Sequence, residues 1–174
     1  MRKLLVVVDM QKDFINGSLG TKEAEGIVER VAEEIGKYKK EDVFATRDTH
    51  KENYLETQEG KKLPVVHCVE GTDGWEIDKQ IAEALQGAEV IDKPTFGSLK
   101  LAEKIAKIAK QEEIEVTLVG LCTDICVVSN ALLIKAYLPE VPIQVIASCC
   151  AGVTPESHRA ALATMKMCQI EIVE

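Results

Sequence analysis

Short apolar runs rich in β-branched residues alternate along the whole chain with stretches of helical spacing. The runs lie at 3–8, 42–46, 88–92, 115–119, 142–147 and 169–173. Each has the length of a buried strand, and apolar residues recur between the runs at every third or fourth position, as in an amphipathic helix. The pattern predicts a βα unit repeated about five times, followed by a final strand.

Several of the intervening segments have one apolar face. The spaced residues are Ile27, Val31, Ile35 and Tyr38; Ile77, Ile81 and Leu85; and Leu101, Ile105, Ile108 and Ala109. Thr154-Pro155 predicts an N-cap and the first turn of a last helix. Apolar strands separated by such helices are typical of a parallel sheet covered on both faces. We therefore expect residues 1–174 to form a single three-layer α/β/α domain around a mostly parallel six-stranded sheet.

Composition and charge narrow the class of partner. The chain has 174 residues, is 46% hydrophobic and carries a formal net charge of -8, with acidic and basic residues mixed. This balance argues against nucleic acid and anionic membrane and favours a small-molecule partner. The first apolar run is too short for a signal peptide or a membrane span, so we expect a cytoplasmic protein.

One cysteine stands out among the six in the chain. In the segment 116–131, an apolar run stops at Gly120, a turn carries Cys122, and Cys126 lies where a new helical pattern begins. A thiol at a helix start is easier to ionise, because the backbone N–H groups and the helix dipole favour negative charge. Cys126 could equally be a packing residue, as we expect for the cysteines outside this segment.

Polar residues follow the predicted strands. Asp9 and Lys93 come at the ends of the first and third runs, and the fourth run leads to Cys126. Ligands of parallel sheets bind at the carboxyl ends of the strands, where these residues should converge. The lysine would favour a thiolate and the carboxylate could carry protons. Taken singly, Asp9 could be a turn residue and Lys93 a solvated loop residue, but their joint placement favours a nucleophilic set.

A second set contains two of the three histidines. The spacing of Asp48 and His50 lets their side chains point the same way from an extended segment, and His67 follows. A carboxylate and two imidazoles suit a divalent transition metal with open positions for water or substrate. Glu59 is the better placed of two nearby glutamates for a further ligand. The pattern is loose, so the histidines could also be ordinary loop residues.

Five sequence blocks resemble the isochorismatase-like cysteine hydrolases, and most of all their nicotinamidase branch. The blocks are Val8-Asp9-Met-Gln-Lys-Asp13-Phe14, Thr46-Arg-Asp48-Thr-His50, Val66-His67-Cys68-Val-Glu-Gly71-Thr72-Asp-Gly74, Lys93-Pro94-Thr-Phe96-Gly97-Ser98 and Gly120-Leu-Cys-Thr123-Asp124-Ile-Cys126-Val127. They occur in the family's order over essentially the whole chain. The resemblance implies the isochorismatase-like hydrolase fold.

The resemblance also implies an activity. Asp9, Lys93 and Cys126 match the family's catalytic triad, and Asp48, His50 and His67 match the metal ligands of nicotinamidases, usually zinc. It implies an amidohydrolase that converts nicotinamide and water to nicotinic acid and ammonia through a thioester on Cys126. The alternatives are another small amide, carbamoyl or vinyl-ether substrate, or a non-catalytic protein on the same scaffold.

Other family features would fall at defined positions. The resemblance implies a cis peptide at Leu121-Cys122, an oxyanion hole formed by the backbone N–H groups of Cys122 and Cys126, and a homo-dimer or tetramer. Phe14 and Trp75 are the aromatic candidates to line the substrate pocket.

The chain departs from many nicotinamidases at two positions near the expected pocket. Ile125 stands where a tyrosine often precedes the nucleophile, and Thr49 stands where a tryptophan is often found. Both changes affect the expected substrate pocket and leave the catalytic residues in place.

Overall fold

Six strands form one parallel sheet in the computed structural model, which describes residues 1–174. They are β1 (Arg2–Val8), β2 (Val43–Asp48), β3 (Glu89–Lys93), β4 (Ile114–Leu121), β5 (Ile143–Ala151) and β6 (Glu171–Val173). Their order across the sheet is β3-β2-β1-β4-β5-β6, and every neighbouring pair is parallel. The predicted α/β fold class is confirmed, with a sheet that is parallel throughout.

Eight α-helices connect the strands. They are α1 (Lys12–Ile15), α2 (Lys22–Glu25), α3 (Val28–Ile35), α4 (Gln58–Lys62), α5 (Lys79–Ala84), α6 (Leu99–Ala109), α7 (Val128–Tyr137) and α8 (Pro155–Met167). The apolar positions predicted for α3, α5 and α6 include buried Val31, Ile81 and Ile105. Thr154 caps α8 as predicted, since its side chain accepts from the N–H of Ser157. No helix is both long and apolar enough to cross a bilayer.

The sheet is buried on both faces. Leu4, Val6 and Val8 of β1 belong to one cluster of 20 buried residues, while Leu5 and Val7 belong to a second cluster of 18 on the opposite face. Because successive side chains of a strand alternate between faces, a shift by one residue would exchange the two sets. Burial on both faces therefore fixes the register of β1. It thereby also fixes the position of Asp9, the residue that follows the strand.

Two strands extend further than their apolar runs indicate, and the extension places polar side chains. The ladder between β2 and β3 continues to the pair Asp48 and Lys93. These residues are thus held by the sheet itself, whereas apolar patterning ends each strand before them. In β4, a Cβ at Gly120 would overlap the carbonyl oxygen of Val8, and its φ is 115°. Glycine therefore allows β4 to approach β1 closely, at the point where the strand order reverses.

Candidate active site

Asp9, Lys93 and Cys126 meet at the carboxyl edge of the sheet, next to the reversal point between β1 and β4. The Lys93 Nζ lies 2.7 Å from Asp9 Oδ2 and 3.4 Å from the Cys126 Sγ. Their exposed fractions are 0%, 1% and 4% for Asp9, Lys93 and Cys126. A parallel sheet places ligand sites at this crevice, so topology and side-chain chemistry agree.

Asp9 is held at the end of β1 by the neighbouring strand. Its backbone has a φ of 46°, and its N–H donates to the carbonyl oxygen of Thr46 at 3.1 Å. The Thr46 hydroxyl in turn donates to Asp9 Oδ1 at 2.7 Å. Oδ2 makes no hydrogen bond and has the Lys93 ammonium as its ion-pair partner. This oxygen is therefore available to exchange a proton with a group in the site.

Burial and charge act in opposite directions on these groups. Burial raises the pKa of Asp9, and the Lys93 charge lowers it by a smaller amount. Burial alone would lower the pKa of Lys93, but Asp9, Cys126 and Asp48 together raise it, so the ammonium persists. Burial, followed by the Asp9 charge, raises the pKa of the Cys126 thiol despite Lys93. The expectation that position alone makes this thiol easy to ionise is corrected.

The local helix geometry also differs from the expected helix start. Residues Thr123–Val127 form a π-turn ahead of α7, in which the N–H of Val127 donates to the Cys122 carbonyl oxygen at 3.0 Å. Cys126 therefore lies in a wide turn, with its side chain packed into the core, and not at the first residue of an α-helix.

Cys122 lies beside the nucleophile candidate. The peptide bond between Leu121 and Cys122 is cis, as the resemblance implies. The Cys122 N–H donates to no other group of the protein. All six cysteines are free thiols, as expected.

Four potential metal ligands lie together beside this set. The ligand atoms of Asp48, His50, Glu59 and His67 are all within 4.8 Å of one another. Asp48 Oδ2 lies 2.9 Å from His50 Nε2 and 3.6 Å from His67 Nε2. Glu59 Oε1 lies 3.6 Å and 3.7 Å from the same two nitrogens. The sequence prediction thus names residues that the fold brings together, Glu59 included.

The donor set fits a divalent cation. The buried His50 Nε2 makes no hydrogen bond, although the Asp48 carboxylate is close. Two ligand atoms at this separation without a hydrogen bond suit a shared cation. The His67 Nδ1 lies 2.8 Å from the Val65 carbonyl oxygen, an arrangement that directs Nε2 toward the cluster. Burial alone would raise the pKa of Asp48, but His50, His67 and Lys93 hold it below its usual range.

A cavity of about 220 Å³ opens beside Cys126 and the metal-binding candidates. Ten of its fifteen lining residues are hydrophobic, a composition that suits an apolar ring or chain more than a sugar or a phosphate. Phe14 and Ile125 line it, as do Asp48, Glu59 and His67 at its polar end.

Trp75 lies outside this cavity, which corrects its expected place in the pocket. The Arg47 guanidinium carbon lies 3.5 Å from the centroid of the Trp75 ring, and the ring Nε1 donates to the Thr49 hydroxyl at 2.9 Å. A cation over an aromatic face and a satisfied indole N–H are both stabilising. These contacts account for the position of the ring outside the cavity.

Six apolar residues of the cavity wall were not predicted from the sequence, and three of them are exposed. Leu63, Phe96 and Val153 are 38%, 43% and 52% exposed and form part of the lining. Phe96 and Val153 lie in the loops after β3 and β5. A large apolar residue soon after a strand end, where solvent exposure costs free energy, is the signal that could have identified them.

The comparisons with known proteins agree with this fold. Residues 3–174 match the isochorismatase domain family. Pyrococcus horikoshii pyrazinamidase in complex with zinc has 29% sequence identity and a TM-score of 0.79, over 100% of this chain and 99% of that one. Streptococcus mutans pyrazinamidase/nicotinamidase has 26% identity and a TM-score of 0.78, over 98% and 99%. Bacillus subtilis nicotinamidase/pyrazinamidase, at 24% identity and a TM-score of 0.77 over 100% of both chains, supports the fold alone. A search of curated proteins found no match.

The fold and its sheet-edge site define a three-layer α/β/α domain with a parallel, doubly wound sheet. The chain belongs to the isochorismatase family, since the family match covers nearly all of it. The resemblance of the five sequence blocks to this family is confirmed.

Proposed function

We propose that this protein is a metal-containing cysteine amidohydrolase of nicotinamidase type, which converts nicotinamide and water to nicotinic acid and ammonia. The observation that carries the proposal is the Lys93 ammonium between Asp9 Oδ2 and the Cys126 Sγ. Beside it lies a buried donor set of two imidazoles and two carboxylates. The similarity to a pyrazinamidase in complex with zinc supports the assignment.

The first half of the reaction forms a thioester. Asp9 accepts the thiol proton, and the Cys126 sulfur forms a bond to the amide carbonyl carbon while the carbonyl electron pair moves to oxygen. The Lys93 ammonium stabilises the negative charge as it passes between the carboxylate and the sulfur. Backbone N–H groups of Cys122 and Cys126 stabilise the oxyanion, each by about 3 to 4 kcal/mol in comparable sites.

Asp9 then returns its proton in the second half. The tetrahedral intermediate collapses, the C–N bond breaks, and the departing amine takes the proton from Asp9 and leaves as ammonia. Asp9, ionised again, removes a proton from water as the water oxygen attacks the thioester carbonyl. The C–S bond breaks, the acid product leaves, and the proton passes to the sulfur. One carboxylate thus serves both halves.

Asp48, His50 and His67, with Glu59, would hold the cation. When bound, a divalent metal such as zinc supplies a Lewis acid for the ring nitrogen of the substrate. Phe14 and Ile125 pack against the ring, so that its carboxamide faces the Cys126 sulfur.

A second candidate is a related hydrolase for another small amide, carbamoyl or vinyl-ether substrate. It is favoured by the region around Ile125 and Thr49, where the chain departs from many nicotinamidases. Thr49 holds the Trp75 indole N–H outside the cavity, so neither an aromatic residue at position 49 nor Trp75 faces the substrate.

Ammonia release, measured together with metal content, tests the proposal. Purified protein should contain about one divalent metal ion per chain, as its single cluster of four donors implies, and release ammonia from nicotinamide. The Cys126→Ala variant is the control for contaminating amidases. Metal-loaded protein that hydrolyses other small amides and leaves nicotinamide untouched would support the second candidate.

The short first apolar run predicts a cytoplasmic protein and the family resemblance implies a homo-dimer or tetramer, and both remain predictions. Light scattering on the purified protein measures the oligomeric state directly. A monomer over the full concentration range would contradict the second of these predictions.

A further inference from the structure

The segment 9–13, which follows β1, is hydrogen-bonded to both segments that carry the metal-binding candidates. The buried Gln11 side chain accepts from the Asp48 N–H at 2.7 Å and donates to the Asp48 carbonyl oxygen at 2.8 Å. Two residues further on, Asp13 Oδ2 accepts from the backbone N–H of Cys68 at 2.8 Å. Cys68 directly follows His67. Neither Gln11 nor Asp13 belongs to the donor set, and the mechanism above uses neither.

Cys68 needs such support because of its backbone conformation. Its φ is 47°, in the left-handed region that residues other than glycine adopt rarely. The Cys68 N–H donates to the Asp13 carboxylate. The Cys68 carbonyl oxygen accepts from the backbone N–H of His50 at 2.9 Å. Both histidines are thus connected to Cys68: His67 is its neighbour in the chain, and the His50 N–H is hydrogen-bonded to its carbonyl oxygen. A displacement of Cys68 would move the backbone of both histidines.

Because Gly74 has no side chain, the Asp13 carboxylate has room beside it. A Cβ at this position would overlap the Asp13 carboxylate group. The short helix Asp73–Trp75 is thus packed directly over the side chain, and Asp13 cannot stay in place beside any larger residue. The missing side chain at Gly74 and the hydrogen bond to Cys68 are two separate observations on the same carboxylate.

We propose that Gln11 and Asp13 are positioning residues, which set the affinity of the four-donor site for a divalent cation without touching the cation. The inference rests on the proposed function for the assignment of Asp48, His50 and His67 as ligands. Asp9 lies in the same segment 9–13, so the stretch that carries the catalytic carboxylate also fixes the backbone of these ligands.

Cobalt titration of the metal-free protein tests the proposal without measuring activity. The visible absorption bands of bound Co²⁺ report ligand geometry, and competition with a chelator gives the affinity for Zn²⁺. Asp13→Ala should weaken affinity by roughly tenfold to a hundredfold, the usual effect of losing a group that orients a ligand. Asp13→Asn keeps an acceptor oxygen of the same shape and should stay within about threefold of the unmodified protein.

Gly74→Ala provides an independent way to displace the carboxylate. Its Cβ should push the Asp13 side chain off the Cys68 N–H and weaken metal affinity in the same way. In an Asp13→Ala background the new Cβ meets no carboxylate, so the second substitution should add almost nothing. Gln11→Glu keeps the acceptor for the Asp48 N–H but loses the donor to the carbonyl oxygens of Asp48 and Trp75, and it should also weaken metal affinity.

Asp78→Ala is the matched control. The Asp78 carboxylate also accepts from backbone N–H groups, those of Gln80 and Ile81 at the start of α5, but it is bonded to no ligand segment. This variant should lower stability in urea and leave metal affinity unchanged. If Asp13→Ala does not fold, Asp13→Asn and Gly74→Ala carry the comparison.

Wild-type affinity in both Asp13→Ala and Gly74→Ala would overturn the inference. So would equal losses in Asp13→Ala, Gly74→Ala and Asp78→Ala, which would mean general destabilisation. Failure of the proposed metal site is distinguishable, because the unmodified protein would then bind no Co²⁺ before any substitution at Asp13. That result would overturn this inference as well.

Discussion

The catalytic candidates and the metal-binding candidates lie side by side but are held in different ways. Asp9, Lys93 and Cys126 each stand at or just beyond the carboxyl end of a different strand of the sheet. The metal-binding set takes Asp48 from the end of β2 and its other members from the connection 49–78, which contains only short helical turns. The sheet positions Asp9, Lys93 and also Asp48, whereas the histidines lie in a connection whose backbone is hydrogen-bonded to Asp13 through Cys68.

The charges of the two sets differ as well. In the catalytic set, the Lys93 ammonium balances the Asp9 carboxylate, so the charges stabilise each other without a ligand. The metal-binding set brings two carboxylates and two imidazoles together, and the nearest fixed cation is Lys93 Nζ, 3.7 Å from Asp48 Oδ1. The second set therefore has less charge compensation of its own, which a bound cation would supply, whereas the first has its own counter-ion. Three substitutions separate the two sets, and a fourth probes the cavity beside them.

Removing the nucleophile should have the largest effect. Cys126→Ala deletes one buried sulfur atom, so turnover should fall by roughly 10⁴-fold or more while the fold persists. Cys122→Ala is the matched control, because it keeps the backbone N–H proposed for the oxyanion hole, and it should cost about tenfold or less. Ammonia release and urea unfolding measure the two effects. Equal and small effects of both substitutions would show that the nucleophile is another residue.

Asp9→Asn should have the next largest effect, because it removes the proton carrier and breaks a buried ion pair. We expect turnover to fall by about 10³-fold, within the range for a lost general acid–base group. Stability should fall by about 3 to 5 kcal/mol, since the Lys93 charge stays buried with less compensation. The double variant Asp9→Asn/Lys93→Met should regain part of the stability and none of the activity. If it regained neither, the charge balance of the pair would not be the cause of the stability loss.

His67→Ala should act on the metal-binding set and leave the catalytic set intact. We expect a loss of bound metal and a fall in kcat/KM of about a hundredfold or more, since removing a ligand should cost at least as much as removing a group that orients one. Alkylation of Cys126 by iodoacetamide should proceed at nearly the unmodified rate, because no group at the sulfur has changed. His158→Ala, which removes the histidine outside both sets, should retain the metal. A matching fall in thiol reactivity in His67→Ala would show that the two sets are not separable.

The same contrast explains how much the sequence could predict. Apolar runs mark the strands, and Asp9 and Lys93 end two of them, so their convergence follows from the parallel fold. His50 and His67 could be grouped only by their chemistry, because the path of 49–78 depends on partners elsewhere in the chain, such as Gln11 and Asp13. Trp75 was misplaced for the same reason, since its contacts with Arg47 and Thr49 are not visible in local patterns. Burial raises the pKa of the Cys126 thiol, an effect that depends on packing from several elements and is not visible in the local sequence.

Ile125→Tyr should have the smallest effect, and it bears on substrate choice alone. Ile125 lines the cavity next to Cys126, at the position where many nicotinamidases have a tyrosine. The larger ring should narrow the cavity and change the ratio of kcat/KM for nicotinamide to that for a bulkier amide by about tenfold, a range typical of a reshaped apolar pocket. Ile125→Leu keeps the volume and should leave the ratio unchanged. Metal content and Cys126 alkylation should match the unmodified protein, because the side chain belongs to neither set. If both rates fell equally for all substrates, Ile125 would support the nucleophile and would not select the substrate.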